Sequence, residues 1–339
     1  MNISEKSIEV INLYKFYESP IASKLPGPYQ LPSAVVKYFF EKKRKKYIAA
    51  LSDINFTVDK HDYVLVLGPN GSGKTTLLKI LAGLMFPSKG TVKILGKKLE
   101  ENLSFVRSKV TLISSLTTGC ALFDPFISVE QNLSLISELL RIDYNNVLKF
   151  IELLKVDKYL NYKFGALSTG TAARVILALN LAKPAEIYLF DEPAEALSPE
   201  GRELFKRILL KLKQDQKTVI YATHHPQELA EVFNRVLLLI NGRIVFNGTI
   251  QDFLNKVFKG KDAYIEIEFY KEIKRDILEN IDLPEKEYMG KSLIIYTNIL
   301  KAHLYLNRLF SHIKVDYIKS VRIIPRSLEE AYLTYVKRR

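Results

Sequence analysis

Three short polar segments follow apolar runs in this chain, and each could act on a phosphate group. The first, GPNGSGKT at residues 68–75, fits the pattern G-x-x-x-x-G-K-[ST]. Its glycines let the backbone approach closely, so that several N–H donors converge on phosphate oxygens. In this pattern Lys74 adds a positive charge for the phosphates, and the Thr75 hydroxyl binds Mg²⁺. The segment therefore predicts a nucleotide site.

The other two segments add carboxylates and a histidine. Asp191 and Glu192 directly follow the apolar run at 187–190, and His224 follows a run at 218–222. Ligands of open parallel sheets bind where the strands end, so these groups should share one edge with the phosphate loop. There Asp191 could hold a metal ion and Glu192 could polarise the water that attacks a γ-phosphate. A lone histidine is more often structural, but the other polar groups at the same sheet edge favour a role for His224 at the γ-phosphate.

A fourth segment, LSTGTAARV at residues 167–175, opens a predicted helix with small side chains. Such a start exposes N–H donors and the positive end of the helix dipole, which suits an anion. A plain N-cap would explain Ser168 but would leave Gly170 without a reason.

The elements that must position these groups are readable in the pattern. Residues 63–67 predict a strand buried on both faces, and the loop after it leads into a helix with Leu77, Leu81 and Leu84 on one side. Residues 116–183 contain two stretches with helical spacing of apolar residues: Leu133, Ile136, Leu139 and Leu140, and then Val147, Leu148, Ile151 and Leu154.

Taken together, the four segments in this order resemble the nucleotide-binding subunit of an ATP-binding-cassette (ABC) ATPase, over roughly residues 5 to 250. The resemblance implies an α/β P-loop fold, with a RecA-like core plus antiparallel β and helical subdomains. It also implies ATP and Mg²⁺ as cofactors and ATP hydrolysis as the reaction. Two subunits of this family sandwich two nucleotides between them.

The resemblance assigns roles residue by residue. Lys74, Glu192 and His224 are the expected catalytic residues, with Glu192 as the base and His224 as the switch histidine. Thr75 and Asp191 are the expected metal residues. Tyr17 falls where the family stacks an aromatic ring on adenine, with Tyr14 and Phe16 as close rivals. The expected nucleotide contacts are Tyr17, Asn70, Gly71, Ser72, Gly73, Lys74, Thr75 and Thr76, and from the opposite subunit Ser168 and Gly170.

Three positions depart from the family pattern. Ser115 stands where a glutamine normally reaches Mg²⁺ and contacts the membrane partner, and Gln131 lies too far along to replace it. We therefore expect a different coupling between nucleotide state and partner. The segment LSTGTAARV at 167–175 resembles the family's signature motif, and we call it the signature segment. Within it Thr171 replaces a glutamine, and Ser198 replaces an aspartate that faces the other subunit. Both an asymmetric heterodimer and a homodimer fit these changes.

The sequence predicts an ATPase domain at 1–258, with an insertion at 18–49 and a helical subdomain at 116–183. Residues 259–339 predict a small α+β domain, ferredoxin-like in its order of elements. The insertion carries a predicted amphipathic helix and the basic run EKKRKKY at 41–47. This piece fits contact with anionic lipid or an acidic partner, and equally an apolar face packed on the domain with a solvated basic end.

Composition sets the wider limits. The chain has 50 basic and 37 acidic residues and one cysteine, Cys120, which excludes an internal disulfide framework. No apolar run reaches the length of a membrane span, so any membrane role should be peripheral. The single cysteine suits a reducing compartment, and the resemblance to a transporter subunit implies a cytoplasmic protein on the inner face of the cell membrane. The predicted function is that of the ATP-hydrolysing subunit of an exporter with a separate permease. The alternatives are a soluble ABC ATPase acting on the ribosome or nucleic acid, although we do not expect a nucleic-acid partner, and a switch that holds ATP without turnover.

Overall fold

The structure is a computed structural model that describes residues 5–18, 47–114, 122–226, 231–272, 279 and 281–337. Its strands, numbered along the chain, are β1 Lys6–Glu18, β2 Tyr47–Asp59, β3 Tyr63–Leu67, β4 Lys89–Ile94, β5 Lys97–Lys98, β6 Val110–Ser114, β7 Ile187–Asp191, β8 Thr218–Thr223, β9 Arg235–Ile240, β10 Arg243–Thr249, β11 Ala263–Phe269, β12 Lys286–Met289, β13 Ser292–Thr297 and β14 Ile318–Pro325.

The helices of the same residues are α1 Lys74–Leu81, α2 Leu103–Lys109, α3 Val129–Leu140, α4 Tyr144–Leu153, α5 Thr169–Leu181, α6 Pro199–Gln214, α7 Ile250–Phe258, α8 Ala302–Phe310 and α9 Leu328–Lys337. No helix within these described ranges is long and apolar enough to cross a membrane.

A six-stranded sheet in the order β10-β9-β3-β8-β7-β6 forms the centre of the first compact unit. Its four strands β3, β8, β7 and β6 run parallel, and every residue of β3 and β7 is buried, as a two-sided parallel sheet requires. Leu67 pairs with Thr223, and Asp191 pairs with Ala222. This register brings the carboxyl ends of β3, β7 and β8 to one edge, where the site lies.

A second sheet, β2-β1-β4-β5, is antiparallel and packs on the same core. The long strands β1 and β2 alternate buried and exposed residues along much of their length. Their inward side chains, such as Leu13 and Ile54, join Leu77 and Leu81 of α1 and Val66 of β3 in one apolar cluster. Packing on both sides of α1 therefore fixes the helix that carries the phosphate loop.

Helices α3, α4 and α5 form the helical part predicted between residues 116 and 183. Ser128 caps α3 in a capping box with Gln131, which gives Gln131 a structural role. Leu133 and Ile136 are buried, whereas Leu139 is 72% exposed and Leu140 50% exposed. The stretch with the predicted helical spacing is therefore a helix, and two of its four apolar residues lie outside its buried face.

A second compact unit contains residues 225–236 and everything from Gly248 onward. Its sheet is antiparallel in the order β12-β13-β11-β14, and α8 packs on one face through Ala302 and Leu309. This strand order is that of a split βαβ arrangement. A helix between β11 and β12 would fall mainly outside the described residues, so the ferredoxin-like assignment and the boundary at 258 remain predictions. Contacts group α7 with this unit.

Some sequence predictions concern residues outside the described ranges. They are Ser115, at the position where the family has glutamine, and nearly all of the insertion at 18–49 with its basic run.

Candidate functional site

The phosphate loop begins where β3 ends and closes where α1 begins. Gly73 caps α1 with φ of 105°, and a Cβ there would lie 2.7 Å from the Ala50 carbonyl oxygen. Gly68 is equally constrained, because its Cβ would lie 2.3 Å from the Leu239 carbonyl oxygen. Close backbone contact therefore requires glycine at both positions. Asn70, Gly71 and Thr75 are exposed, so the inner side of the loop is open to a ligand.

Lys74 points its side chain back under this loop. Its Nζ donates hydrogen bonds to the carbonyl oxygens of Gly68, at 2.8 Å, and Pro69, at 3.3 Å. It also lies 3.2 Å from Glu192 Oε1. With the side chain only 6% exposed, this buried cation is balanced by a carboxylate instead of by water.

Thr75 and Asp191 face each other across the loop and the end of β7. The Thr75 hydroxyl donates a hydrogen bond to the Asp191 carboxylate. Burial raises the pKa of Asp191, Glu192 raises it further, and the bond from Thr75 and the charge of Lys74 pull it down, with a net rise. A cation beside these two oxygen donors would relieve that burial cost. Hydroxyl and carboxylate oxygens are the donors that Mg²⁺ prefers, so the pair fits the ion.

Glu192 lies at the centre of the polar groups. Its backbone has φ of 54°, a left-handed conformation that is strained for a side chain of this kind, and its N–H donates to the Ala222 carbonyl at 3.0 Å. Glu192 Oε2 lies 2.8 Å from His224 Nδ1. Burial works to raise the pKa of Glu192, but hydrogen bonds from Glu195 and His224 and the charge of Lys74 lower it overall. The carboxylate is therefore kept ionised.

The structure brings Glu195 into this cluster, which the sequence analysis missed. Glu195 Oε1 lies 3.7 Å from His224 Nδ1, and its carboxyl group is hydrogen-bonded to that of Glu192. The signal was present in the sequence, since DEPAEALS carries a third acidic residue one turn after Glu192. We refer to Lys74, Glu192, Glu195 and His224 as the edge cluster.

Ser168 and Gly170 lie at a separate place, at the start of α5. Ser168 caps this helix, because its Oγ accepts a hydrogen bond from the Thr171 N–H at 3.3 Å and lies 2.9 Å from Thr171 Oγ1. A Cβ on Gly170 would lie 3.6 Å from the backbone nitrogen of Ser198. Of the two departures, Thr171 therefore lies within the signature segment and Ser198 lies beside it in the same chain.

Ser198 is also an N-cap, with its Oγ accepting from the Gly201 N–H at 3.2 Å and Pro199 in the first turn of α6. Serine thus satisfies the local requirement of the helix start as well as aspartate would. The exposed Ser168 and the half-buried Gly170 leave the N-terminus of α5 accessible to a second molecule.

Tyr17 lies beside α1. Its hydroxyl lies 3.3 Å from Thr76 Oγ1 and donates to the sulfur of Met85 at 3.1 Å. The rival rings of Tyr14 and Phe16 stack on each other, with centroids 6.0 Å apart. The ring of Tyr17 is partly exposed next to the phosphate-loop helix, and its stacking on adenine stays a prediction.

A groove of about 320 Å³ lies between the end of α1 and the helical part of the same unit. Its lining includes Leu84 and Leu140, exposed by 59% and 50%, and two cations, Arg107 and Lys183. Burial lowers the pKa of Lys183. Among the described residues, the buried Thr111 hydroxyl in this groove has no hydrogen-bond partner.

Several known proteins are similar to this chain in sequence or in fold. The family model described as ABC transporter matches residues 51–195. An energy-coupling factor transporter ATP-binding protein, EcfA1 of Fusobacterium nucleatum, is 32% identical over 73% of this chain and 93% of its own length. The ABC transporter ATP-binding protein NatA of Bacillus subtilis is 27% identical over 64% of this chain and 92% of its own length. A Nod factor export ATP-binding protein I of Burkholderia lata is 28% identical over 64% of this chain and 72% of its own length.

Among solved structures, the dimeric ATP-binding cassette MJ0796 bound to ADP and Pi superposes with a TM-score of 0.57. It is 24% identical and covers 71% of this chain and 98% of its own length, which supports the fold. The sequence similarity to EcfA1 over nearly all of that protein, together with the family match, establishes the rest: this chain belongs to the ATP-binding subunits of ABC transporters, which are ATPases.

Proposed function

We propose that the edge of the central sheet is the ATP-hydrolysing site, with each residue in the role that the sequence resemblance implied. The observation that carries the proposal is the contact network of Lys74, Glu192 and His224, together with the Thr75–Asp191 hydrogen bond, at the ends of three adjacent strands. Phosphoryl transfer needs positioned cations and a group that orients water, and this network supplies both.

In this proposal Lys74 leaves the Glu192 carboxylate and contacts the phosphates. The phosphates are also anions, and the amides of the loop surround the position that they would occupy. Thr75 and Asp191 would hold Mg²⁺, and the ion would supply positive charge to the phosphate oxygens. Glu192, released from Lys74, accepts a hydrogen bond from the attacking water. His224 stays bonded to Glu192 or turns to the γ-phosphate, since it lies within reach of both the carboxylate and the loop edge.

We infer that Ser168 and Gly170 complete the site of a second subunit. The N-terminus of α5 offers free N–H groups and a positive dipole end to an anion. Within the chain the atoms nearest to a Cβ on Gly170 would belong to Ala196 and Ser198, and we propose that the ligand of this helix start is held by another subunit.

The groove beside Leu84 and Leu140 is proposed as the contact with a membrane permease. Exposed apolar side chains around a groove mark a protein interface, and Leu84 and Leu140 supply such side chains here. The protein would thus sit on the inner face of the membrane. We propose export as the direction, because the insertion at 18–49 and the segment PRSLEEAYL at 325–333 resemble features of exporter-type subunits of this family. Inside-out membrane vesicles that carry the complex test the direction, because an exporter would move its substrate into such vesicles when ATP is added outside.

The experiment that tests the function uses Glu192→Gln, which keeps the side-chain volume and removes the carboxylate. We expect ATP binding to remain and hydrolysis to fall by a factor of about 10² or more. Capture of this variant in ATP with mild detergent should recover a multi-span membrane protein. Ribosomes or nucleic acid in its place would contradict the transport function while leaving the ATPase intact.

The role of the groove is tested by adding Leu140→Asp to the Glu192→Gln variant and repeating the capture in ATP. Leu210→Asp is the matched control, because Leu210 is 43% exposed on α6 and does not line the groove. Loss of the membrane protein with Leu140→Asp alone supports the groove. Equal recovery with both variants would place the contact elsewhere.

A further inference from the structure

The segment after β7 returns to the edge cluster through a tight turn. The N–H of Glu195 donates to the carbonyl of Glu192 at 3.3 Å, and the N–H of Leu197 donates to the carbonyl of Ala194 at 3.1 Å. Glu195 is therefore placed one turn after Glu192, with its side chain directed back toward that residue and toward His224.

Three titratable groups meet at this point. One oxygen of Glu192, one oxygen of Glu195 and a ring nitrogen of His224 all lie within 4.8 Å of one another. Lys74 faces them from the start of α1, and it touches Glu192. Two carboxyl groups form a hydrogen bond only when one of them holds a proton.

We propose that Glu195 is a positioning residue for ATP hydrolysis, whose carboxyl group donates a hydrogen bond to Glu192 and holds it toward the attacking water. This inference rests on the proposed role of Glu192 as the base. Glu192 loses its contact with Lys74 when the phosphates of ATP bind, so the orientation of its side chain then depends on the contacts that remain. Its left-handed backbone is also strained and needs surrounding contacts to hold it.

The donor in this pair is Glu195. Its hydrogen bond with Glu192 and then its burial raise its pKa to about 7, whereas the pKa of Glu192 is lowered. Below about pH 7 the Glu195 proton satisfies Glu192, and above it two carboxylates face each other and repel. The positive charge of Lys74 reduces this repulsion without removing it.

The test compares Glu195→Gln with Glu195→Ala. The amide of glutamine is a neutral donor at every pH, and alanine removes the contact. We expect kcat of the wild type to fall between pH 7 and 8.5. Glu195→Gln should keep most of the kcat seen at pH 6.5 and lose this fall. Glu195→Ala should lower kcat on the order of tenfold at all pH values, with little change in KM.

Glu203→Ala is the control, because Glu203 is an exposed carboxylate on α6 that pairs only with its helix neighbour Arg207 among the ion pairs of the described residues. ATP binding and thermal unfolding of each variant confirm that it is folded. Equal kcat and unchanged pH profiles for wild type, Glu195→Gln and Glu195→Ala would overturn the proposal. Full activity of Glu192→Gln would instead overturn the site assignment itself, so the two failures are distinguishable.

Discussion

At the scale of single residues, Lys74 is a buried cation whose contact with Glu192 would be replaced by a contact with the phosphates of the ligand. Its ammonium group is bound by two loop carbonyls and by Glu192, so its charge is already neutralised within the protein. In the proposed function, a phosphate chain competes for the same cation and releases Glu192 at the same time. The proposal therefore links nucleotide binding to the activation of Glu192 through one side chain.

Lys74→Met tests this link. The substitution keeps the apolar stem and removes the charge, so ATPase activity should drop about 10²- to 10³-fold. Lys211→Met, on the exposed side of α6, is the control and should leave activity unchanged. Steady-state hydrolysis at saturating ATP is the measurement. A residual activity within threefold of the wild type would show that Lys74 does not contact the reacting phosphate.

The raised pKa of Glu195 also predicts how stability depends on pH. Between its unfolded pKa near 4.5 and its folded pKa of about 7, the folded protein binds more protons than the unfolded chain. The contribution of Glu195 to the free energy of unfolding therefore declines as pH rises through this window. Because the carboxyl is half exposed, the decline should stay below about 1 kcal/mol.

Thermal unfolding of the wild type and of Glu195→Gln without nucleotide, from pH 5 to 8, measures this decline in the free energy of unfolding. The wild type should lose stability relative to the variant as pH rises. A constant difference between the two proteins would mean that Glu195 titrates normally in the folded state.

Most members of the site could be predicted from residue types and spacing, and Glu195 shows where that stopped. Lys74 and Thr75 occur in a local pattern that places them at the start of α1 after the phosphate loop, and Asp191, Glu192 and His224 lie at or directly after the ends of β7 and β8. The proximity of Glu195 to His224 arises from the turn at 192–197 meeting the end of β8, which is a contact between distant parts of the chain. Local patterns carry no information on such a distance.

At the scale of elements, the phosphate loop is held by backbone contacts more than by side chains. Gly73 has no room for a Cβ next to Ala50 and Leu51, whereas Gly71 has open space around it. Both have positive φ, 105° and 77°, so both would carry backbone strain as alanine. Only Gly73 would also have to displace the strand β2.

Gly73→Ala and Gly71→Ala therefore form a matched pair. We expect Gly71→Ala to cost about 1 kcal/mol of unfolding free energy from left-handed strain alone. Gly73→Ala should cost several times more, about 3 kcal/mol, and should weaken ATP binding. Denaturant unfolding and nucleotide titration measure both. Equal costs would show that the loop moves away from β2 easily.

Helix α3 shows what periodicity can and cannot predict. Leu133 and Ile136 are buried, but Leu139 lies about 120° around the helix from Leu133 and points to solvent. Leu140 is on the inner side, yet it is the last residue of the helix and lines the groove. The helix was predictable from its apolar spacing. The limit of its buried face depended on where the neighbouring helices end.

At the scale of the whole molecule, the order of strands in the central sheet decides which groups meet. Parallel strands and their buried character were predictable, but the order β10-β9-β3-β8-β7-β6 rests on pairings far apart in sequence. Net charge of +13 indicated an anionic partner without choosing one. The family match, not the charge, identifies ATP.

A complete ATP site in this proposal needs two molecules, so we predict that ATP makes the protein dimerise through the segment that contains Gly170. Gly170 lies at the accessible N-terminus of α5, where an aspartate would place a negative charge against the γ-phosphate held by the other subunit. In the Glu192→Gln background, which retains ATP, the wild-type signature segment should give a dimer in ATP and a monomer without it. Gly170→Asp should remain monomeric in ATP while still binding the nucleotide.

Asn145→Asp supplies the control, since it adds the same charge at an exposed position at the start of α4. Size-exclusion chromatography with light scattering gives the mass, and bound ATP is counted in each peak. A dimer that persists with Gly170→Asp would contradict the role of this residue at a shared site. A Glu192→Gln protein that stays monomeric in ATP, with its signature segment unchanged, would instead favour a heterodimer. In that case Thr171 and Ser198 would border the site completed for a different subunit.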